Sequence, residues 1–199
     1  MKFMTESTPT RDRIVAAMAD LMRFQGYGAT SVKQVVDHAS APTGSLYHFF
    51  PEGKRQIAAD ALRSTGAAYI ALVPVLLDPY DNLADGVRAF FEAAAEDMER
   101  AGWANMCPVG TVAAETADTE PQLREVAAAI VTSWIDESTA YFVGRGLDPV
   151  QARQVTVMAL AALEGAFLLA RTLRSTEALH VAGESLARLV EHVPLAARA

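Results

Sequence analysis

The sequence predicts an all-α protein of about nine helices. Apolar side chains recur at spacings of three and four residues along most of the chain. No segment shows the strict alternation of a half-buried strand, and glycine, proline or a polar capping residue stands at most segment ends. Since 51% of the 199 residues are hydrophobic, the chain can bury a core in one or two small domains.

The first helix is predicted over residues 10–24, with Gly26 as the glycine that ends it. Thr30 and Ser31 are N-cap residue types and introduce a short second helix with one apolar face. Ser40-Ala41-Pro42 ends that helix because proline cannot continue it. Thr43 can cap a third helix, in which Leu46 points inward.

Two short helices joined by such a turn predict a helix-turn-helix, whose second helix meets the DNA major groove with its N-terminal end. Small residues permit close approach to a duplex, and hydroxyl and imidazole groups can reach phosphates or base edges. A lysine at the start of the next helix opposes the local dipole unless a phosphate lies there. The candidate DNA contacts are Thr30, Ser31, Lys33, Gln34, Thr43, Gly44, Ser45, Tyr47, His48 and Lys54.

The rest of the chain predicts a helical body. A connecting helix over residues 54–77 is kinked or ended by Pro74. Asp148-Pro149 is an N-cap followed by a first-turn proline, which opens the longest apolar helix. The other predicted helices follow the turn at Asp81-Asn82 and then cover residues 109–117, 121–141, 150–173 and 177–192.

Charge divides the chain in the same way. Residues 1–55 carry seven basic and five acidic side chains, a net charge of +2, which leaves −9 for residues 56–199 out of the total of −7. A mildly basic N-terminal part (the head, residues 1–55) on an acidic remainder (the body, residues 56–199) is typical of a DNA-binding protein with a separate sensing domain. We therefore expect a DNA-binding domain at 1–55 and a ligand-binding and dimerisation domain at 56–199.

The head also resembles the signature of the TetR family of transcriptional regulators. The resemblance rests on an apolar residue and alanine in the second helix, a small turn, the run Gly44-Ser45-Leu46-Tyr47-His48-Phe49, and Lys54. Ala41-Pro42 replaces the commoner Gly-Val of the turn, and Pro51-Glu52-Gly53 lengthens the junction before the lysine. Together with Cys107-Pro108-Val109, that junction resembles the lincomycin-resistance and quercetin-responsive branch of the family.

This resemblance implies a one-component repressor, a homodimer that binds a palindromic double-stranded operator and is released by a small apolar or aromatic effector. It implies a cavity in the body, and such cavities are mostly apolar with a few polar groups. Glu164, inside an apolar helix, could bind a donor group of the ligand, pair with Arg171 or cross the dimer axis. The candidate ligand-binding residues are Phe90, Trp103, Met106, Glu115, Trp134, Glu164 and Phe167.

The helix over residues 150–173 is apolar nearly all round, so it needs burial on more than one side. A partner subunit is the natural second cover, and the alternative is a monomer with a large core. The last helix carries a narrower apolar stripe, which suits pairing with the long helix in an intersubunit four-helix bundle. That stripe consists of Leu179, Val181, Leu186, Leu189 and Val190.

Several other classes of function find no support. The chain lacks a P-loop, GxGxxG, HExxH and GxSxG, so we expect no enzymatic activity and no cofactor. Glu177-x-x-His180 has no second copy, so we expect no di-metal centre. Two rival interpretations stay open: a DNA-binding dimer whose body senses nothing, and an all-α enzyme or carrier with a degenerate head.

The sequence also predicts a cytoplasmic protein that is not embedded in a membrane. Residues 1–6 have no apolar core of a signal peptide, and Thr156 and Glu164 interrupt the longest apolar run. A single cysteine, Cys107, excludes an internal disulfide and fits a reducing compartment. That cysteine is either a redox sensor or a small buried hydrophobic residue.

Overall fold

A computed structural model describes residues 9–193 of the chain, and this described part contains ten helical segments and no strand. The signal-peptide prediction for residues 1–6 lies outside the described residues. The helices are α1 (Thr10–Gln25), α2 (Val32–His38), α3 (Thr43–Phe49), α4 (Lys54–Ile70), α5 (Leu72–Leu77), α6 (Leu83–Arg100), α7 (Pro108–Thr116), α8 (Pro121–Gly144), α9 (Pro149–Leu173) and α10 (Glu177–His192).

Helices α4 and α5 are separated by one residue, Ala71, whose backbone is itself helical. Counted as one connecting helix, they bring the total to the nine that the sequence predicts. Pro74 lies inside α5, and the interruption falls three residues before it. Proline has no N–H to offer the carbonyl four residues earlier, which belongs to Ile70, the last residue of α4.

Local signals set the ends of several helices. Gly26 ends α1 with a φ of 80°, and Asp148 caps α9 by accepting hydrogen bonds from the backbone N–H of Val150 and Gln151. At α3 the prediction is wrong, because Pro42 occupies the N-cap position, Thr43 is already helical, and the cap makes no side-chain hydrogen bond. Ser40 takes the left-handed conformation of the turn, with a φ of 49°.

Two apolar cores hold the described part of the chain together, and the boundary between them does not follow residue 55. The first core joins α1 to α4 with α7 and most of α8, and Val109, Val112 and Leu123 are fully buried in it. The second core lies among α5, α6, α9, α10 and the C-terminal end of α8. The head therefore shares its core with part of the body.

Most of the apolar stripe of the last helix is buried within the chain itself. Leu179, Leu186 and Val190 are buried within the second core, where α10 lies mainly against α6 of the same chain. Val181 of the same stripe is 59% exposed, so one side of α10 stays open beside α9. The largest group of exposed apolar side chains lies on α9, at Val150, Val157, Met158, Leu168, Leu169 and Leu173.

Two helical stretches, Lys54–Leu77 and Pro149–Leu173, are long and apolar enough to cross a membrane. The expectation that no apolar segment reaches that length is therefore wrong. Core and interface helices of soluble proteins meet the same criterion, so length and composition alone do not decide between these environments.

Candidate nucleic-acid interface and apolar cavity

Helix α3 presents a polar outer face on an apolar anchor. Leu46 is fully buried, as is Phe50 just after the helix, so these two side chains fix α3 on the head. Tyr47 is 59% exposed, and no other atom lies within 4 Å of the place where a side chain at Gly44 would begin. Thr43 and His48 are also exposed, and Ser45 is half-buried. This face has the open backbone and the polar groups that groove contact requires.

Helix α2 is held by a reciprocal cap. The Ser31 hydroxyl accepts a hydrogen bond from Gln34 N at 3.2 Å, and Ser31 N donates to Gln34 Oε1 at 2.8 Å. This capping box satisfies two backbone N–H groups at the helix start, and both side chains remain exposed. Lys33 is exposed beside them, and its ammonium group lies 2.6 Å from Asp37 Oδ2.

Thr30 does not lie where the sequence prediction placed it. The residue is 1% exposed, its hydroxyl donates to the carbonyl of Gly26 at 2.7 Å, and Gln25 Nε2 donates to it at 3.2 Å. The predicted phosphate contact at Thr30 is therefore incompatible with its position. Its role in this structure is to tie the end of α1 to the start of α2.

Lys54 opens α4, directly after Gly53. Its Nζ atom lies 4.0 Å from the centroid of the Tyr27 ring, which is a cation–π contact. Partial burial lowers the pKa of Lys54, whereas Glu115 and Glu120 act in the opposite direction. The lysine thus belongs to both the surface next to α3 and the junction with the body.

The body contains a partly open cavity of about 500 Å³ whose lining is mostly apolar. Side chains from α1, α4, α5, α6, α8, α9 and α10, and from the segment before α7, form its wall. A volume of this size and character suits one small hydrophobic molecule. The aromatic residues on the wall are Tyr69, Phe90, Phe91, Trp134, Phe142 and Phe167.

One polar group of the cavity is the half-buried carboxyl of Glu164. Burial raises its pKa, and the thiol of Cys107 is within hydrogen-bonding reach of it. Burial, followed by the negative charge of Glu164, raises the pKa of Cys107, so the thiol is a poor nucleophile. Tyr69 lies on the same wall, and burial raises its pKa to about 12.

A second polar group of the cavity wall comes from the head. Arg23, near the end of α1, lines the cavity and donates from Nη2 to Asp97 Oδ2 at 2.8 Å. Its Nε also bonds the side-chain oxygen of Asn105, and Asn105 in turn bonds Asp97. Head and body therefore build this end of the cavity together.

Five of the seven predicted ligand-binding residues line this cavity: Phe90, Met106, Trp134, Glu164 and Phe167. Trp103 packs on the second core outside the wall. Glu115 lies at the junction with the head, where its carboxylate accepts hydrogen bonds from Tyr27 N and Gly28 N. These two positions correct the prediction, because helical spacing does not show which side of α7 or of its preceding turn faces the body.

Arg171 is not the partner of Glu164 that the sequence suggested. Its guanidinium donates to the carbonyl of Ala104 at 3.3 Å and to that of Phe24, at the end of α1, at 3.2 Å. Sequence reasoning also missed Arg23, Tyr69, Asp97, Asn105 and Thr156 on the wall. The Thr156 hydroxyl is buried without a hydrogen-bond partner. Its position as one of two polar residues in the apolar run of α9, with Glu164, was the available signal.

The described residues contain no group of three or more His, Cys, Asp or Glu side chains that could hold a metal ion. An exposed helix-turn-helix joined to a helical body with an apolar cavity defines a DNA-binding regulator of the helix-turn-helix class. Residues 14–61 match the profile of "Bacterial regulatory proteins, tetR family", and residues 84–185 match "Transcriptional regulator LmrA/YxaF-like, C-terminal domain". The chain belongs to the TetR family and is a transcriptional regulator rather than an enzyme.

Individual relatives agree with this assignment over nearly the full length. The chain is 29% identical over 187 residues to the HTH-type transcriptional regulator YxaF of Bacillus subtilis strain 168, covering 94% of this chain and 98% of YxaF. It is 33% identical over 188 residues to the regulator Rv0196 of Mycobacterium tuberculosis strain H37Rv, covering 90% and 93%. The crystal structure of a TetR transcriptional regulator from Chloroflexus aurantiacus superposes with a TM-score of 0.74 at 28% identity, covering 94% and 97%.

Proposed function

We propose that the protein is a cytoplasmic, effector-responsive repressor that binds a palindromic operator as a homodimer. The observation that carries this proposal is the combination of an exposed, polar α3 with an apolar cavity whose wall includes a residue of the head, Arg23. A small apolar or aromatic molecule in that cavity would favour one position of the head over another. It releases the operator only by binding the two states with different affinities.

The DNA surface would consist of the exposed residues of α2 and α3 and the start of α4. Tyr47 and Lys54 are the most informative of these, because one is strongly exposed and the other opens a helix at the edge of the head. The remaining proposed contacts are Ser31, Lys33, Gln34, Thr43, Gly44, Ser45 and His48. Thr30 supports the surface from inside and does not contact DNA.

The dimer would form through α9 and the exposed side of α10, where Val181 is 59% exposed. Leu168, Leu169 and Leu173 are each more than half exposed in the isolated chain, and an apolar surface of this kind marks an interface. A two-fold axis through these helices would let the two heads bind two half-sites. These half-sites would lie one helical turn of DNA apart, about 34–36 Å.

Selection of genomic fragments by the purified protein at near-physiological salt tests the DNA-binding part. We expect enrichment of a short palindrome. Tyr47→Ala and Lys54→Ala should each lower the affinity for the enriched fragment at least tenfold with the circular-dichroism spectrum unchanged. Tyr80→Ala, at an exposed tyrosine of the body, is the matched control and should have no effect. Recovery of unrelated fragments alone would refute the proposal.

The dimer is tested by light scattering on size-exclusion fractions. The wild type should have twice the 21.3 kDa mass of the chain, and Leu169→Glu should have the mass of one chain because it buries a charge in the interface. Val75→Glu on α5, a helix that packs on α4 and α6, is the control and should remain dimeric. A monomeric wild type would exclude a stable dimer.

The sensing part is tested with N-phenyl-1-naphthylamine, a neutral probe that fluoresces in apolar surroundings. We expect saturable binding that is lost when Ala159→Phe fills the cavity from its wall. We also expect the bound probe to weaken operator binding. Failure of both the probe and the filled cavity to change operator affinity would leave a DNA-binding dimer that senses nothing.

A further inference from the structure

The loop between α1 and α2 forms a cradle for a carboxylate of the body. The backbone N–H of Tyr27 donates to Glu115 Oε2 at 2.8 Å, and that of Gly28 donates to Glu115 Oε1 at 2.6 Å. A side chain at Gly26 would begin 2.8 Å from Glu115 Oε2, and one at Gly28 would overlap Glu115 Oε1. The two glycines therefore leave room for the carboxylate, and both oxygens receive a hydrogen bond from the backbone.

This loop contacts residues next to two parts of the proposed DNA surface, the start of α2 and Lys54. The carbonyl of Gly26 accepts from the Thr30 hydroxyl and that of Tyr27 accepts from Thr30 N at 3.1 Å, one residue before the cap of α2. The ammonium group of Lys54 also lies over the ring of Tyr27, in a cation–π contact. A shift of the loop would therefore move both the start of α2 and the lysine that opens α4.

The opposite end of α7 lies at the cavity. Cys107 caps the helix by accepting from Gly110 N, and it lines the cavity beside Glu164. A side chain at Gly110 would overlap the Glu164 carboxylate, so the first turn of α7 is in close contact with this half-buried acid. A nine-residue helix is about 13 Å long. Val109 in its first turn and Val112 at its centre are fully buried in the core shared with the head.

We propose that Glu115 is a positioning residue for DNA binding, through which α7 transmits occupancy of the cavity to the α1–α2 loop and so to α2 and Lys54. This inference rests on the proposed function, because it requires that the cavity takes an effector. An occupant that displaces Glu164 or Cys107 would shift the first turn of α7, and the helix would carry that shift to its other end. Arg23 and Arg171 hold α1 itself, whereas Glu115 binds the loop that leads to α2.

The two hydrogen bonds from Tyr27 N and Gly28 N to the Glu115 carboxylate are called the clasp below. A double-mutant cycle between the cavity and the clasp tests this proposal. The cavity is filled in two independent ways, by Ala159→Phe and by saturating N-phenyl-1-naphthylamine. The clasp is broken from the body side by Glu115→Gln and from the head side by Gly28→Ala. The matched controls are Glu99→Gln, an exposed acid of α6, and Gly144→Ala, where a methyl group meets open space. The readouts are operator affinity by fluorescence anisotropy and amide hydrogen exchange of residues 26–30.

We expect filling of the cavity to weaken operator binding at least tenfold in the wild type and in both controls, and less than threefold in Glu115→Gln and Gly28→Ala. The amides of Tyr27 and Gly28 should exchange at least tenfold faster in the two clasp variants, with the melting temperature close to that of the wild type. If Glu115 has only a structural role, its substitution changes the amide hydrogen exchange of the loop but not the effect of cavity filling on operator affinity. Combining the two clasp substitutions should add little to either one, since both remove the same contact.

Two other outcomes would overturn the proposal, and they are distinguishable. If a filled cavity still weakens operator binding tenfold in both clasp variants, the cavity signals by another route and only the role of Glu115 fails. If neither way of filling the cavity changes operator affinity in any background, the sensing function fails and the role of Glu115 in it fails too.

Discussion

The crossing of α6 with α10 and the junction of α7 with the head both depend on glycine, but different atoms face the glycine in each. At the crossing, a side chain at Gly183 would begin 2.7 Å from Phe91 Cβ, an atom fixed to the backbone of α6. At the junction, a side chain at Gly28 would meet the tip of Glu115, which can rotate away. The crossing is therefore a rigid part of the frame, and the junction can open by movement of one side chain.

Two glutamates mark the two ends of α7, and they differ in the same sense: Glu115 belongs to its last turn, and Glu164 of α9 contacts its first turn. Glu164 is half-buried in an apolar wall next to a thiol, and this partial burial raises its pKa. Glu115 is exposed and binds two backbone N–H groups. A carboxylate surrounded by water can leave its partners at small cost, whereas a buried one cannot move without a change in the cavity. The movable contact therefore lies at the head and the sensitive contact at the cavity.

The largest effect on stability should come from the rigid crossing. Gly183→Ala forces α10 away from Phe91 and should lower the free energy of unfolding by about 1–3 kcal/mol, the usual cost of overpacking a core. Urea unfolding followed by circular dichroism measures it. Gly144→Ala, with open space around the new methyl group, is the control and should cause no loss. Equal stability of the two variants would show that the crossing adapts and is not rigid.

The cavity end of α7 should protect its thiol. Cys107 is 3% exposed and its pKa is raised by burial, so native protein at pH 8 should react with iodoacetamide at least about a hundredfold more slowly than unfolded protein. Mass spectrometry of timed samples gives both rates. A native rate close to the unfolded one would favour the redox-sensor interpretation of this cysteine.

Glu164 should make stability depend on pH in a defined direction. Its folded pKa is raised above the ordinary value of 4.5, so its contribution to stability is fully present below about pH 4.5 and is lost as the pH rises through the folded pKa. Glu164→Gln cannot ionise and should lack this loss. The free energy of unfolding of the wild type relative to this variant should fall by at most about 1.4 kcal/mol per pH unit. Parallel curves from urea titrations at several pH values would contradict the burial of a carboxyl here.

The smallest effect should come from the junction. Glu115→Gln should lower the free energy of unfolding by no more than about 1 kcal/mol, because exposed hydrogen bonds are exchanged for hydrogen bonds to water. The same urea titration measures it, with Glu99→Gln as the reference. A loss as large as that of Gly183→Ala would mean that the junction is part of the frame and cannot serve as a movable contact.

Local chemistry determined much of this protein. The all-α class, the helix-turn-helix and most helix ends follow from apolar spacing and from capping residues such as Ser31, Gly26 and Asp148, whose partners lie within four residues. Such signals are readable because a cap and the backbone it binds are neighbours in the chain. The aromatic and acidic residues that line the cavity were also recognisable in part, since Glu164 stands out in an apolar helix.

Only the tertiary structure decided which helix faces meet. Thr30 is a capping residue type, yet packing buries it. In the apolar stripe of α10, Leu179 and Leu186 are buried within the chain, whereas Val181 is exposed. Glu115 and Tyr27 are 88 residues apart in the chain. Arg23 and Asp97 are 74 residues apart. Helical periodicity states that a face is apolar or polar, but the partner of that face depends on how distant helices cross, and this is settled by the packing of the whole chain.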